Sequence, residues 1–420
     1  MNIQAPRGTQ DLLPQDSAAW VALEAACREA ARRNAFDEVR TPVFEHTELF
    51  LRGVGDTSDI VQKEMYTFAD RSDRSLTLKP ESTASVVRAL GQSGLLHGAL
   101  PLRVFYCYSP HFRYEKPQAG RLREHHQFGI EVFGAADPSA DAQVIGLGWD
   151  LLNGLGLQSL ALHINSIGCP ECRAVHAAAL RAYLAGKREH LCELCRDRAE
   201  RNPMRVLDCK SPVCQAQLTD APLVLDHLCG PCREHFEGVQ GHLTAIGIPF
   251  EIDGKIVRGL DYYTRTVFEI IAPLGGSPIT VIGGGRYDGL CCELGAPDLP
   301  ALGFGMGQER LFLLCSEQGV LPAPAPAPRV FVAHVAPECA GAAFALSAAL
   351  RRAGVSAVNE QTGRSLKAQM KYADKAGFSH VLVLGPDELA AGTATLRDMR
   401  DRSETAVSLS DFCWVGEIKP

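Results

Sequence analysis

The sequence predicts an α+β fold: an antiparallel-sheet domain over residues 1–320, interrupted by a cysteine-rich insertion at 169–242, then a Pro/Ala linker at 321–328 and a small α/β domain at 329–420. Three observations carry this. Up to residue 320, separate strand-like runs are joined by turns and loops while the helical segments stand apart from them, the pattern of an antiparallel sheet. Eight of the fifteen cysteines fall in four close pairs between Cys169 and Cys232. Beyond LPAPAPAP, whose alternating Pro and Ala favour a semi-rigid extended spacer, strand and helix alternate.

Taken in order, residues 17–34 and 81–90 read as helices. LRVFYCYSP, HHQFGIEVFG, IVRGLDYYTRTVFEIIA and PITVIGG read as strands, rich in β-branched and aromatic residues and bounded by Gly, Pro or polar turns. The cysteine-bearing stretch interrupts them and reads as a segment that packs on its own. After the linker, RVFVAHV, VSAVNE and HVLVLG are short apolar strands, and 338–353 and 365–376 are helices, giving a largely parallel sheet. At 420 residues the chain has room for two or three domains.

Composition is that of a globular protein, with 46% hydrophobic and 22% charged residues. No apolar run reaches the roughly 18 residues of a membrane span, and the start lacks a basic segment followed by an apolar one. A cytoplasmic enzyme with no membrane partner is expected. The net charge of −7 argues mildly against a protein that coats nucleic acid. That charge is uneven: residues 329–420 carry 11 Lys plus Arg against 10 Asp plus Glu. Cytosolic thiols stay reduced, so the fifteen cysteines are not a disulfide framework.

Three constellations carry chemistry. In FRYEKPQAGRLREHHQFGIEVFG (112–134), Arg113 stands where a strand enters a polar loop holding Lys116, Arg121 and Arg123. A guanidinium at the base of such a hairpin suits bidentate binding of a phosphate. Gln127 and Glu131, four residues apart on the returning strand, fall on one sheet face, and two inward polar groups there need a reason. In VRGLDYYTRTVFE (257–269), Arg258 stands near the paired phenols Tyr262 and Tyr263. A Tyr-rich strand with a surface arginine is the plain alternative. The clusters VIGGGRYDGL and ALGFGMGQERL lack GxGxxG spacing with its acidic partner, and no GxxxxGK[ST] occurs, which disfavours a Rossmann or P-loop fold. The second cluster instead suggests close helix–strand packing, with a helix starting near Met306 and presenting Arg310.

Together these resemble class II aminoacyl-tRNA synthetases. The arginine hairpin and the glycine-rich segment ending in ER look like their motifs 2 and 3, and TPVFEHTELF (41–50) looks like motif 1, used at a dimer interface in that class. RGLDYYTRTVFE, GFGMGQERL and the opening APRGTQDLLP resemble the histidyl-tRNA synthetases in particular. The resemblance implies a homodimeric histidine–tRNA ligase with a class II catalytic domain and a C-terminal anticodon-binding domain. Its substrates would be histidine, ATP with Mg²⁺, and tRNA. It implies that Arg113 clamps the α-phosphate of ATP and Arg310 the terminal phosphates. Glu81 and Thr83 would hold the amino group of histidine with Gln127 nearby. Glu131 and Tyr263, with Tyr262 beside them, would read the imidazole, and Arg258 would bridge carboxylate and α-phosphate. One departure stands out: many relatives have RPEGT where this chain has Lys79-Pro80-Glu81-Ser82-Thr83. The carboxylate and hydroxyl survive it.

CPEC (Cys169, Cys172), CELC (Cys192, Cys195), CKSPVC (Cys209, Cys214) and CGPC (Cys229, Cys232) are candidate ligands for structural zinc, grouping open between one ion and two. Redox use is disfavoured, because no pair is expected to open a helix within a thioredoxin-like βαβ unit. Arg364, Lys367, Lys371 and Lys375 mark the helix of the last domain as a face for the anticodon arm, a solvated amphipathic helix being the alternative. Two rival functions remain. One is a non-catalytic paralogue serving as a regulatory subunit in histidine biosynthesis; such paralogues lack the C-terminal domain and parts of the Arg258 element. The other is a zinc-dependent RNA-binding module.

Overall fold

The computed structural model describes residues 3–55, 58–209, 211–323, 328–411 and 413–417. The chain forms two compact units, Met1–Ala323 and Pro324–Pro420. Residues 324–327 of the Pro/Ala stretch lie outside the described residues.

Besides short 3₁₀ and π turns, the first unit begins with α1 (Pro14–Arg33), β1 (Asp37–Glu38), β2 (Phe44–His46), α2 (Thr47–Val54), β3 (Tyr66–Ala69), β4 (Ser75–Leu78) and α3 (Thr83–Ser93). It continues with β5 (Leu102–Phe112), β6 (Glu124–Phe133), α4 (Pro138–Gly154) and β7 (Ala161–Ser166). The insertion is helical: α5 (Pro170–Ala185), α6 (Glu193–Arg201), α7 (Met204–Leu207), α8 (Pro212–Gln217) and α9 (Gly230–Ala245). Then come β8 (Glu251–Ile252), β9 (Thr264–Leu274), β10 (Ser277–Arg286), α10 (Leu290–Glu293), β11 (Ala301–Gly307) and α11 (Gln308–Glu317).

The main sheet runs β1-β5-β6-β11-β10-β9-β7-β8 and is antiparallel except at its ends, where β1 lies parallel to β5 and β8 to β7. A separate three-stranded sheet runs β2-β4-β3. Period-2 alternation divides the main sheet into two faces. Phe128, Ile130, Val132, Leu302, Phe304, Met306 and Ile282 enter one core with apolar residues of α1, α4, α9 and α11. Helix α1 buries Trp20, Leu23, Cys27 and Ala31, a stripe at steps of three and four, and opens on Pro14, whose missing N–H costs nothing in the first turn. Helix α4 starts where Asp137 accepts the N–H of Ser139 (2.9 Å).

Two readings are corrected here. The strand anticipated through IVRGLDYY begins only at Thr264. Residues 256–263 form a loop because side chains take the carbonyls a strand would offer its neighbour: Asn165 donates to Ile256 O (3.0 Å) and Arg205 to Gly259 O (2.7 Å). Nor does the insertion pack wholly on its own. Leu180, Leu184, Leu191, Val206, Leu207 and Leu218 form a separate cluster with Cys195, Cys209 and Cys214. However, Phe236, Val239 and Leu243 of α9 belong to the main core.

The second unit contains β12 (Arg329–His334), α12 (Ala340–Arg352), β13 (Ser356–Asn359), α13 (Leu366–Lys375), β14 (His380–Leu384), α14 (Pro386–Ala391), β15 (Thr393–Asp398) and β16 (Glu404–Ser408). Strand β12 pairs in parallel with β13 and β14, and β15 and β16 complete the sheet antiparallel. Those last two strands are polar and carry little of the apolar signal that marks the parallel three. Among the described residues no helix is long and apolar enough to cross a membrane.

Candidate active site

The face of the main sheet opposite α1 and α4 is cleared by missing side chains. Strand register sets Tyr106, Gly129, Gly305, Gly283 and Glu269 in one rung across five strands. The next rung holds Val104, Glu131, Gly303, Gly285 and Val267. A methyl at Gly283 would overlap the Arg258 guanidinium, one at Gly303 the Glu131 carboxylate, and one at Gly129 the Tyr106 ring. The glycines therefore open a trough, and above it lies a cavity of about 400 Å³, within the range of small-molecule sites. This revises the packing role anticipated for the second glycine cluster: Gly303 and Gly305 are floor, and the helix anticipated near Met306 starts at Gln308 and presents Arg310 in its first turn.

One end of the cavity is a buried polar nest. Thr83 Oγ1 donates to Glu131 Oε1 (2.8 Å) and the Tyr287 hydroxyl to Glu131 Oε2. Burial pushes the Glu131 carboxyl up to about 8, against the opposing pull of the Tyr287 and Thr83 hydroxyls. Glu81 precedes α3 and accepts the first N–H groups of that helix, from Thr83 (2.8 Å) and Ala84 (2.8 Å). A carboxylate there is favoured by the helix dipole. Burial still raises it, only partly offset by those donors. Tyr262 donates to Glu81 at 3.5 Å, and its ring centroid lies 4.8 Å from that of Tyr263.

The other end is cationic. Arg113 follows β5 directly, and its Nε donates to Pro80 O (2.9 Å). Arg310, in the first turn of α11, donates to Thr280 O (2.7 Å) and Gly120 O (3.3 Å). Burial and the neighbouring Arg121 lower its pKa. Arg121 pairs with Glu115. Among the described residues neither Arg113 nor Arg310 forms a direct ion pair, although Glu64 and Glu81 lie near the first and Glu115 and Glu269 near the second, so two guanidiniums line the cavity without a carboxylate bonded to them. Burial and Arg113 hold His125 at about 3, so it adds no charge.

Arg258 stands between the two ends. It pairs with Glu269, which also accepts from Thr280 (2.9 Å), and lies over the Tyr263 ring at 5.9 Å. The structure thus brings Arg113, Arg258, Glu81, Thr83, Gln127, Glu131, Tyr262, Tyr263 and Arg310 around one cavity. It also brings in residues that sequence reasoning passed over: Tyr106, Tyr287, Glu269 and Thr280. Tyr287 stands in the quoted RYDG segment and Glu269 closes the quoted VFE, but only sheet register shows that they meet.

The eight cysteines form two groups away from this cavity. The sulfurs of Cys169, Cys172, Cys229 and Cys232 all lie within 4.8 Å of one another, and so do those of Cys192, Cys195, Cys209 and Cys214. Cys169, Cys192 and Cys229 occupy the N-cap positions of α5, α6 and α9. Three pairs therefore do open helices, but what converges in each case is four thiols and not the two of a redox pair.

Comparison with known proteins places this geometry. A histidyl-tRNA synthetase family model matches residues 8–311, and an anticodon binding domain model matches 329–415. The histidine–tRNA ligase of Moorella thermoacetica is 50% identical over 411 residues, 97% of each chain. That of Desulforudis audaxviator is 51% identical over 414 residues, 98% of this chain and 97% of its own. The crystal structure of apo S. aureus histidyl-tRNA synthetase superposes with a TM-score of 0.83 at 33% identity, covering 97% of this chain and 98% of that one. The chain belongs to the histidyl-tRNA synthetase family.

Proposed function

We propose that the chain is a histidine–tRNA ligase: it activates histidine with ATP to histidyl-adenylate in the glycine-floored cavity and transfers the histidyl group to the 3′ end of its tRNA. The observation that carries this reading is the pairing, in one cavity, of a buried carboxyl nest with two guanidiniums that no carboxylate bonds directly. Full-length relatives at about half identity carry the ligase name, which favours catalysis over the regulatory alternative.

In this reading the imidazole enters the polar nest. Glu131 and Tyr263 bond its nitrogens, and Thr83 and Tyr287 hold Glu131 in place. Thr83 Oγ1 is engaged with Glu131, so Glu81 and Gln127 are the better partners for the amino group. A site built to bond both nitrogens rejects an apolar competitor, which would leave those groups unpaired. Arg258 then meets the substrate carboxylate, and Arg113 and Arg310 receive the α- and terminal phosphates of MgATP. The carboxylate oxygen attacks the α-phosphorus, the bond to the bridging oxygen breaks, and pyrophosphate leaves. Two anions must be brought together, so charge neutralisation and alignment provide the rate. A terminal ribose hydroxyl of the tRNA next attacks the activated carbonyl and AMP departs.

Residues 329–420 would bind the anticodon arm through Lys367, Lys371 and Lys375, which are exposed along α13. Arg364 is engaged by Glu360 (3.2 Å) and the Tyr372 ring (4.2 Å) and is the weaker candidate. A homodimer through β2, α2 and β3 is supported by the exposed Val43, Phe44, Leu51 and Phe68. Structural zinc is proposed for the eight cysteines, and cytoplasmic location for the protein. Incubation with labelled histidine, MgATP and tRNA tests the whole scheme. Acid-stable labelled tRNA that forms only with ATP is the expected outcome; none forming would overturn it.

A further inference from the structure

We infer that the insertion holds two separate zinc ions, one bound by Cys169, Cys172, Cys229 and Cys232 and the other by Cys192, Cys195, Cys209 and Cys214, and that the second fixes a clamp on the substrate loop. Sulfurs about 2.3 Å from a tetrahedral zinc stand roughly 3.8 Å apart. Here Cys169 Sγ lies 3.5 Å from Cys172 Sγ and 3.9 Å from Cys229 Sγ, and Cys192 Sγ lies 3.9 Å from Cys209 Sγ. Each group is assembled from two separate chain segments, 169–172 with 229–232 and 192–195 with 209–214. Four soft ligands with no open position define a closed structural site and select zinc over the oxygen-seeking Mg²⁺ or Ca²⁺.

Backbone N–H groups point at three of the sulfurs. The N–H of Cys229 donates to Cys172 Sγ (3.1 Å), that of Cys192 to Cys214 Sγ (3.2 Å) and that of Ser211 to Cys209 Sγ (3.5 Å). In α5, α6 and α9 the first cysteine of each pair occupies the N-cap position and the second lies in the first turn, so each of these pairs sits at a helix N-terminus. The cluster around the second group is small and wholly aliphatic apart from its cysteines and Tyr183. Metal binding there would supply folding energy that burial alone does not.

The second group brackets the clamp. Between Cys195 and Cys209 the chain presents Asn202 and Arg205. Arg205 donates to Gly259 O (2.7 Å) and Asp261 Oδ1 (3.3 Å), and Asn202 donates to Asp261 Oδ1 (3.2 Å). Gly259 and Asp261 lie in the loop that bears Arg258, Tyr262 and Tyr263. The first group adjoins the end of the same loop: Arg265 N donates to Gly168 O (2.9 Å) and Arg173 to Tyr263 O (3.2 Å). The clamp's effect on histidine rests on the proposed function, whereas the metal sites do not.

Zinc is measured by mass spectrometry on the full chain, purified in reducing buffer without chelator. About two equivalents are expected for the wild type and about one each for Cys172→Ser and Cys195→Ser. Titrating the metal-free wild type with Co²⁺ should give tetrahedral tetrathiolate absorption that saturates at about two equivalents, a readout that needs no variant to fold. Less than about half an equivalent of zinc with eight freely reacting thiols overturns the sites, as does loss of all metal from either single variant or binding of iron in place of zinc. For the clamp, Cys195→Ser and, independently, Arg205→Ala should raise the histidine KM of pyrophosphate exchange about tenfold and leave the ATP KM unchanged. Arg205→Ala should keep its zinc. Unchanged histidine KM in both overturns the clamp. Absence of exchange in the wild type would refute the proposed function and leave the zinc count standing.

Discussion

Replacing Glu131 by Gln probes the buried nest, because the substitution keeps shape and hydrogen-bonding capacity while removing one ionisation. The folded carboxyl titrates near 8 against an ordinary 4.5. Below 4.5 the group is protonated whether the chain is folded or not, and stability is unaffected. As pH rises from 4.5 to 8 the unfolded chain releases the proton and the folded one retains it, so the fold loses stability across that window, then levels off. The full shift corresponds to about 4–5 kcal/mol at pH above 8. Thr83 and Tyr287 can both adapt to an amide, one donating to its oxygen and the other accepting from its nitrogen. Urea unfolding of wild type and Glu131→Gln between pH 5 and 9 should therefore show the variant gaining on the wild type by several kcal/mol toward alkaline pH. In exchange assays the same variant should raise the histidine KM about tenfold, since a neutral amide accepts an imidazole N–H less strongly than a carboxylate does. Parallel stability curves across the pH range would refute the reasoning about Glu131.

Gly283→Ala should displace the Arg258 guanidinium, the nearest group to the added methyl, and slow exchange about a hundredfold while stability changes by less than about 1 kcal/mol, read by kinetics and thermal unfolding. Removing residues 329–420 should weaken aminoacylation through tRNA binding and spare adenylate formation. Filter binding of tRNA and exchange on the truncated chain check this, with the oligomeric state measured alongside.

The residues of the cavity whose neighbours in sequence are also their neighbours around it were legible. Arg113 announces itself by standing where a strand enters a basic loop, and Gln127 and Glu131 by a period of two. Arg258 is marked by the tyrosines that follow it. Tyr287, Tyr106 and Glu269 were not legible, because their convergence depends on register summed across five strands. The glycine clusters were visible as glycines, but their purpose is set by Arg258 and Glu131 lying above them. The loop at 256–263 looked like a strand because its β-branched and aromatic residues have that propensity. Hydrogen bonds from Asn165 and Arg205, distant in sequence, decide otherwise. The cysteine pairs were plain, whereas their grouping depends on where α8 and α9 return.

Histidine-dependent exchange of labelled pyrophosphate into ATP, run on wild type and Arg258→His, tests the account most directly. The wild type should exchange label with histidine and not with amino acids lacking an imidazole. Arg258→His should lower that rate by about a hundredfold or more, with its unfolding midpoint nearly unchanged. Exchange in the variant close to the wild-type rate, or a wild type that exchanges no label with histidine, would contradict it.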